Sequence, residues 1–237
     1  TELGHTGDFY IAVGGSERAR IDASGRLLVG LTSARTLNSG YTPSLQVEGN
    51  TATTSSISAI NNINQTGGPS VWLGKSRGAA LGGVTTVQSG DELGSIFFNG
   101  ADGTDIQSIG ASIVAKSNGT VAGNRMPGEL LFATTADSAG SVAPTTRLTI
   151  DSAGKATFTV DASINSISIG KGANSVAGNT VLGENALDAA VTGTNNTAIG
   201  YAALTANTSG TGNTAIGKSA GYGITTATDN TALGRST

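Results

Sequence analysis

The octapeptide GNTAIGKS at residues 212–219 matches the pattern GxxxxGK[ST], in which glycine backbone, lysine and hydroxyl hold nucleotide phosphates and magnesium. Gly212, Gly217, Lys218 and Ser219 would take those roles. Other reactive side chains are sparse. His5 is the only histidine, which removes a multi-histidine metal site within one chain and leaves a Ser-His-Asp triad without support. It reads as an exposed terminal residue. Asn99, Asp102 and Asp105 in NGADGTD place three oxygen ligands close together, as calcium would want. The DxDxDG spacing and a later bidentate Glu are missing, so the stretch reads as a polar hairpin turn. Asp91, Glu92, Glu129 and Asp137 are the carboxylates available for glycan cleavage, which needs a pair roughly 5 to 9.5 Å apart. Nothing in their spacing predicts such a pair. Trp72, the single tryptophan, is flanked by Val71 and Leu73, and reads as a buried or interface ring rather than a sugar platform. No catalytic, cofactor-binding or metal-binding residue is assigned.

A phosphate loop needs a helix directly after it, with its N-terminus facing the phosphates. AGYGITTATDN, which follows Ser219, is a poor helix. The octapeptide belongs instead to a repeat. NTVLG begins at Asn179, NTAIG at Asn196 and Asn213, and NTALG at Asn230, a constant separation of 17 residues, with a degenerate copy, SISIG, at Ser166. The pairs after the repeat glycine are EN, YA, KS and RS, so Lys218 and Ser219 occupy a variable outward position. Nucleotide binding is therefore not expected. Each NTx[IL]G predicts a short strand, with Thr and Ile/Leu on one face and Asn and the small residue on the other. The expected inward set is Leu182, Ile199, Ile216 and Leu233. Asn179, Asn196, Asn213 and Asn230 should stack as an amide ladder, and Gly183, Gly200, Gly217 and Gly234 should mark the bend.

The composition agrees with a β-rich, turn-rich chain: 36 of 237 residues are Gly, charged residues are 12% and aromatics 4%. A net charge of −3 gives no basic field for nucleic acid or an anionic membrane, and no apolar run is long enough to span a bilayer as a helix. Neither nucleic acid nor membrane insertion is expected. There is no cysteine. RIDASGRLLVG at Arg20 and LTIDSAGKATF at Leu148 share IDxxG[RK] and predict hairpins with Gly25 and Gly154 in a left-handed position. SLQVEG, SVWLGKS, LGSIFF, IQSIGASIVA and ELLFATT read as strands. Four regions follow: a hairpin module and connection at 1–48, a Thr/Ser/Asn-rich connector at 49–69, a central β domain at 70–160, and a repeat solenoid at 161–237. In the connector, Ile57, Ile60 and Ile63 suggest a one-sided buried ribbon or short helix.

Three groups of residues resemble bacteriophage tail-fibre proteins. RIDASGRLLVG resembles their short hairpin module. LGKSRG, GDELGSIFFNGADGT and MPGELLFATT resemble a β module of such fibres, notably from cyanophages. The NTAIG array resembles phage fibre repeats and, more distantly, the β-roll heads of trimeric autotransporter adhesins. The resemblance implies an all-β, elongated, homotrimeric fibre, with a β-sandwich-like or interwoven centre and a C-terminal β-roll or β-helix. It implies a virion location, most readily a tail fibre and alternatively a head or neck fibre, and a role in extension and host attachment. Partners would be two further copies of the chain, other fibre or baseplate proteins, and a host surface glycan or protein. Such fibres often end in a chaperone domain that trims itself off, and this sequence, without an initiator Met or such a domain, reads as a piece of a longer or processed polypeptide. Physics favours trimerisation too, because a 17-residue coil offers little inward apolar surface. Tyr201, Lys218, Tyr222 and Arg235 are the expected receptor contacts, on the outward variable face. The alternatives are a bacterial trimeric surface adhesin and a glycan-depolymerising tailspike. An ice-binding solenoid is a remoter one, since it needs regular Thr rows and the outward face is expected to vary.

Overall fold

The computed structural model describes residues 7–37, 40–62, 64, 66–137, 143–189 and 191–237, so His5 and Ile63 lie outside the described residues. The protein is all-β, with no α-helix among the described residues. It divides into two compact units, residues 1–146 with 151–153, and residues 147–150 with 154–237.

In the first unit β1 (Phe9–Val13) and β2 (Ser16–Ile21) are antiparallel. Gly14 and Gly15 join them at φ 62° and 77°, which suits a two-residue hairpin that twists with its strands. The DASG turn then leads into β3 (Leu27–Val29): Asp22 Oδ1 accepts the backbone N–H groups of Ser24 and Arg26, and Gly25 lies at φ 77°. β4 (Leu45–Val47) runs parallel to β3. Its buried Gln46 fastens the intervening loop, donating to the carbonyls of Arg35 and Pro43 and accepting from Arg35 N–H.

Between β4 and residue 91 the expected elements do not form. Ser55 and Ser56 hydroxyls bond back to the carbonyls of Thr51 and Ala52, a local alternative that competes with regular structure, and Ile57 and Ile60 are exposed rather than buried. SVWLGKS, predicted as a strand, makes no ladder among the described residues. β5 (Glu92–Gly100), β6 (Ser108–Ser117) and β7 (Gly128–Thr134) then form an antiparallel meander, with bulges between Glu92 and Gly94 and between Phe98 and Asn99.

The second hairpin motif connects β8 (Thr145–Ile150) to β9 (Ala156–Phe158), with Gly154 at φ 80° as predicted. β10 (Ala162–Ile164) turns through Asn165 and Ser166 into β11 (Ile167–Gly170). SISIG is thus not a fifth parallel coil, because β11 pairs antiparallel with β12 (Thr180–Gly183). The Asp161 carboxylate accepts the N–H groups of Lys171 and Gly172 and fixes this hairpin over the solenoid's first coil. From there the 17-residue period is realised: β12, β13 (Thr197–Ile199), β14 (Thr214–Ile216) and β15 (Thr231–Leu233) pair in parallel, each residue on its counterpart one repeat away.

The predicted inward face is reversed. Val181, Ala198, Ala215 and Ala232 point into the coil and are buried, whereas Leu182 is 43%, Ile216 39% and Leu233 72% exposed, and Ile199 is half-buried. The asparagines decide this. Their amide N–H groups donate across the coil, Asn179 to Gly193, Asn196 to Gly210 and Asn213 to Ala227. Their Oδ1 atoms accept the backbone N–H of the next asparagine at 2.9 to 3.0 Å. With Asn inside, period-two alternation brings the small residue in and sends Thr and Ile/Leu out. Leu187, Leu204 and Val191 fill the rest of the interior.

The third coil varies this plan. Gly221 stands where its neighbours carry Leu187 and Leu204, and a Cβ there would lie 2.8 Å from Leu204 Cδ2. Ile224, in the position of Asn207, supplies the missing bulk beside it.

Candidate functional site

Two outward surfaces of the solenoid follow from this packing. The first is the corner after each strand. Successive bend glycines pack backbone to backbone, and a Cβ on Gly200 would meet the Gly217 carbonyl oxygen at 2.7 Å. The next residue therefore projects outward: Glu184, Tyr201, Lys218 and Arg235. The residues after these hold the column together, with Ala202 N–H donating to Glu184 O, Ser219 to Tyr201 O and Ser236 to Lys218 O, at 2.7 to 2.9 Å. Lys218 Nζ stands 5.5 Å from the centre of the Tyr201 ring, within cation–π range. One ring face is thereby engaged. Tyr222 was expected in the same place but belongs to a different column, above Thr205 and Asp188, whose side chains are hydrogen-bonded at 2.6 Å. It follows Gly221, which is not a bend glycine of the NTx[IL]G series. Both tyrosines are exposed.

The second surface is the outward face of the sheet. Ile169, Leu182, Ile199, Ile216 and Leu233 form one apolar strip in cross-strand register, and Ile164 pairs with Ile167 two residues along the first hairpin. Beside it run Thr180, Thr197, Thr214 and Thr231, one per coil. The strip was missed because hydrophobic residues were assigned inward. The signal available was the invariant Asn, whose four hydrogen-bonding positions fit a coil interior better than an isolated outward row. The Thr row also corrects the expectation that the outward face varies, which holds for the corners and not for the sheet.

The other candidates are locally committed. After Ser219 the chain makes turns, so the GxxxxGK[ST] match has no helix N-terminus beside it. Asp102 accepts from the Ser108 hydroxyl and the N–H groups of Thr104 and Asp105, and the Ser108 bond leads in holding its carboxyl down at about 2. Asp105 accepts from Gln107 N–H, and Asn99 turns its amide N–H groups to the carbonyls of Leu37 and Ile106. NGADGTD is thus a turn held by its own side chains. Asp91 is gripped by both arms of Arg77 at 2.6 Å and by Gln88 N–H, and the Arg77 bond is the main cause of its lowered pKa. Glu92 and Glu129 both pair in register with Lys116, one from each side, and Glu129 also accepts from Asn118 at 2.6 Å. Asp137 is exposed and joins neither. Among the described residues no group of three His, Cys, Asp or Glu is placed to hold a metal, and no helix is long and apolar enough to cross a membrane.

No family model matches the chain, and no curated protein matches it. Among solved structures it is similar to the carboxy-terminal domain of the bacteriophage T5 L-shaped tail fibre, at 18% identity and a TM-score of 0.45, over 70% of each chain. A second structure, of that domain with its intramolecular chaperone domain, matches at 16% identity and a TM-score of 0.39, over 70% of this chain and 48% of the other.

Proposed function

We propose that the chain is a segment of a homotrimeric phage virion fibre that extends from the particle and attaches it to a host surface glycan or protein, without catalysis. The observation that carries this is the apolar strip from Ile169 to Leu233. In one chain it faces solvent, and a continuous aliphatic row on a flat sheet is the surface that copies of a fibre chain bury between them. The phage assignment comes from the hairpin and β-module motifs. With the strip turned toward sister chains, the corners stay outside. Tyr201, Lys218, Tyr222 and Arg235 offer rings for stacking on sugars and cations for anionic glycans, repeated three times for avidity. Sedimentation equilibrium tests the assembly: a trimer is expected, and a folded monomer overturns it. Tyr201→Ala with Tyr222→Ala should lower adsorption to host cells while leaving the melting transition in place. Unchanged adsorption would make this segment a shaft.

The Thr row favours one further reading, an ice-binding face, since four threonines stand in parallel register about 4.8 Å apart. Thermal hysteresis measured alongside sedimentation separates the two. A face buried between copies is not available to ice.

A further inference from the structure

The first unit carries a knob and a hole that do not meet within one chain. The knob is Trp72, 91% exposed, beside Val71 at 86%, on a segment whose sequence calls for a strand and which has no ladder partner among the described residues. Leu81 and Val84, further along the segment, are also exposed. The segment is not adrift. Leu73 packs so closely on Gly94 of β5 that a Cβ on that glycine would lie 2.6 Å from Leu73 Cβ, and Arg77 clamps Asp91 just before the strand. It therefore lies on the face of β5 that bears Gly94, Ile96 and Phe98.

The hole lies on the opposite face. Ser95, Phe97 and Asn99, which alternate with those residues, line a groove of about 590 Å³ with Leu37, Tyr41, Pro43, Glu92 and Ile106. Its walls are mostly apolar, and Asn99 is held at its base by the carbonyls of Leu37 and Ile106. Glu92 is its one charged lining residue. The segment with Trp72 carries Lys75, exposed and close enough to Asp91 to help lower its pKa, and Lys116 stands across the ladder from Glu92, but among the described residues neither Lys75 nor Glu92 forms an ion pair within 4 Å.

We propose that Trp72 of one chain seats in this groove of a second copy, with Lys75 brought to the neighbour's Glu92 and the indole N–H to a groove acceptor. The chain's own groove is closed to it, because the sheet stands between. Knob and hole on opposite faces of one strand make a head-to-tail contact, which closes into a ring when the rotation allows. Closure at three rests on the homotrimer reading above. Val71, Trp72, Leu81 and Val84 bring on the order of 500 Å² of apolar surface, and with a matching area from the groove this reaches the roughly 1,000 Å² of a specific interface. The missing ladder has the same explanation: a strand-forming run lies beside a neighbour, whose backbone can complete it.

Trp72 is the only tryptophan, so its fluorescence reports the seat directly in the unaltered protein. In the assembled protein the emission should be blue-shifted from that of the guanidinium-unfolded chain and lose most of its quenching by acrylamide. Tyr41→Ala with Phe97→Ala should return emission and quenching toward the unfolded values while the solenoid strip still holds the trimer. The chain has no cysteine, so Val71→Cys with Tyr41→Cys gives a clean cross-link, and oxidation should yield covalent trimers on a denaturing gel. Trimers with solvent-like, fully quenched Trp72 emission overturn the knob-in-groove contact and leave the trimer reading standing. So do cross-links formed only within one chain, and so does protection that develops only when a glycan is added. A monomer in sedimentation overturns the trimer reading itself.

Discussion

The two units stabilise themselves differently. In the solenoid Val181, Leu187, Val191, Leu204 and the alanine column are buried, and the asparagine ladder closes the backbone's needs inside the chain. In the first unit only Leu28, Val87 and Ala133 are buried hydrophobic residues among those described, while Phe9, Tyr10, Ile96, Phe98 and Trp72 face outward. A repeat makes its own neighbours, so each coil is completed by the next. A set of unlike hairpins has no such supply, and its apolar residues stay at the surface of the single chain.

The sharpest way to break this contrast is a pair of adjacent substitutions. Ala215→Asp puts a charge at a fully buried position and should unfold the coil, at a cost of several kcal/mol. Ile216→Asp, one residue on, points outward and should leave the β signal in circular dichroism intact while abolishing the trimer in sedimentation. If both lose the fold equally, the inside and outside of the coil are misassigned.

A gain of stability is expected at Asn207. Its amide N and O are buried with no hydrogen-bond partner among the described residues, whereas the next coil has Ile224 in that position. Asn207→Ile should raise solenoid stability by about 1–3 kcal/mol, the cost of an unsatisfied buried amide, read as a higher melting temperature. No gain would mean that the amide is satisfied in the assembled fibre.

The smallest effect separates the units by pH. Among the described residues, every carboxyl with a clearly lowered pKa lies in the first unit. Arg20 holds down Glu17, the Arg26 backbone N–H leads for Asp22, Arg77 for Asp91 and Ser108 for Asp102. A depressed folded pKa gives stability that is complete above the ordinary carboxylate range of about 4 and is lost as pH falls through the folded values, which for Asp102 is about 2. Asp102 is exposed, and Glu17, Asp22 and Asp91 are half-buried in ion pairs at the surface, so the loss is modest. The solenoid ladder consists of amides, which do not titrate. Acid titration below about pH 4 should therefore move Trp72 fluorescence before it moves the β signal. Loss of both together would count against two independent units.

Much of this was legible in the sequence. The 17-residue register, the amide ladder and both IDxxG[RK] turns depend on local chemistry that repeats or caps itself, and the sequence states such chemistry openly. The face of the coil was not legible from hydrophobicity, because the asparagines take the interior and period-two alternation then brings in the small residue and sends Ile or Leu out. Leu182 and Ile216 thus broke the rule that large apolar residues go inside. SVWLGKS failed as a strand for another reason, since pairing is a property of two segments and no segment among the described residues pairs with it. Of the candidate site, Tyr201 and Lys218 were placed outward by their variability, but their stacking needed the coil geometry. Tyr222 was misplaced because its preceding glycine was taken for a bend.

A chain of near-identical coils risks docking one repeat out of step while it folds. The exchange of bulk between Gly221 and Ile224 guards against that error. Only the third coil lacks a side chain where Leu204 leans, and only that coil carries Ile seven residues after its bend glycine. A slip of 17 residues would part the gap at Gly221 from the Leu204 side chain that fills it. Sequence irregularity in a solenoid of this kind acts as an indexing mark, telling each coil which neighbour is its own.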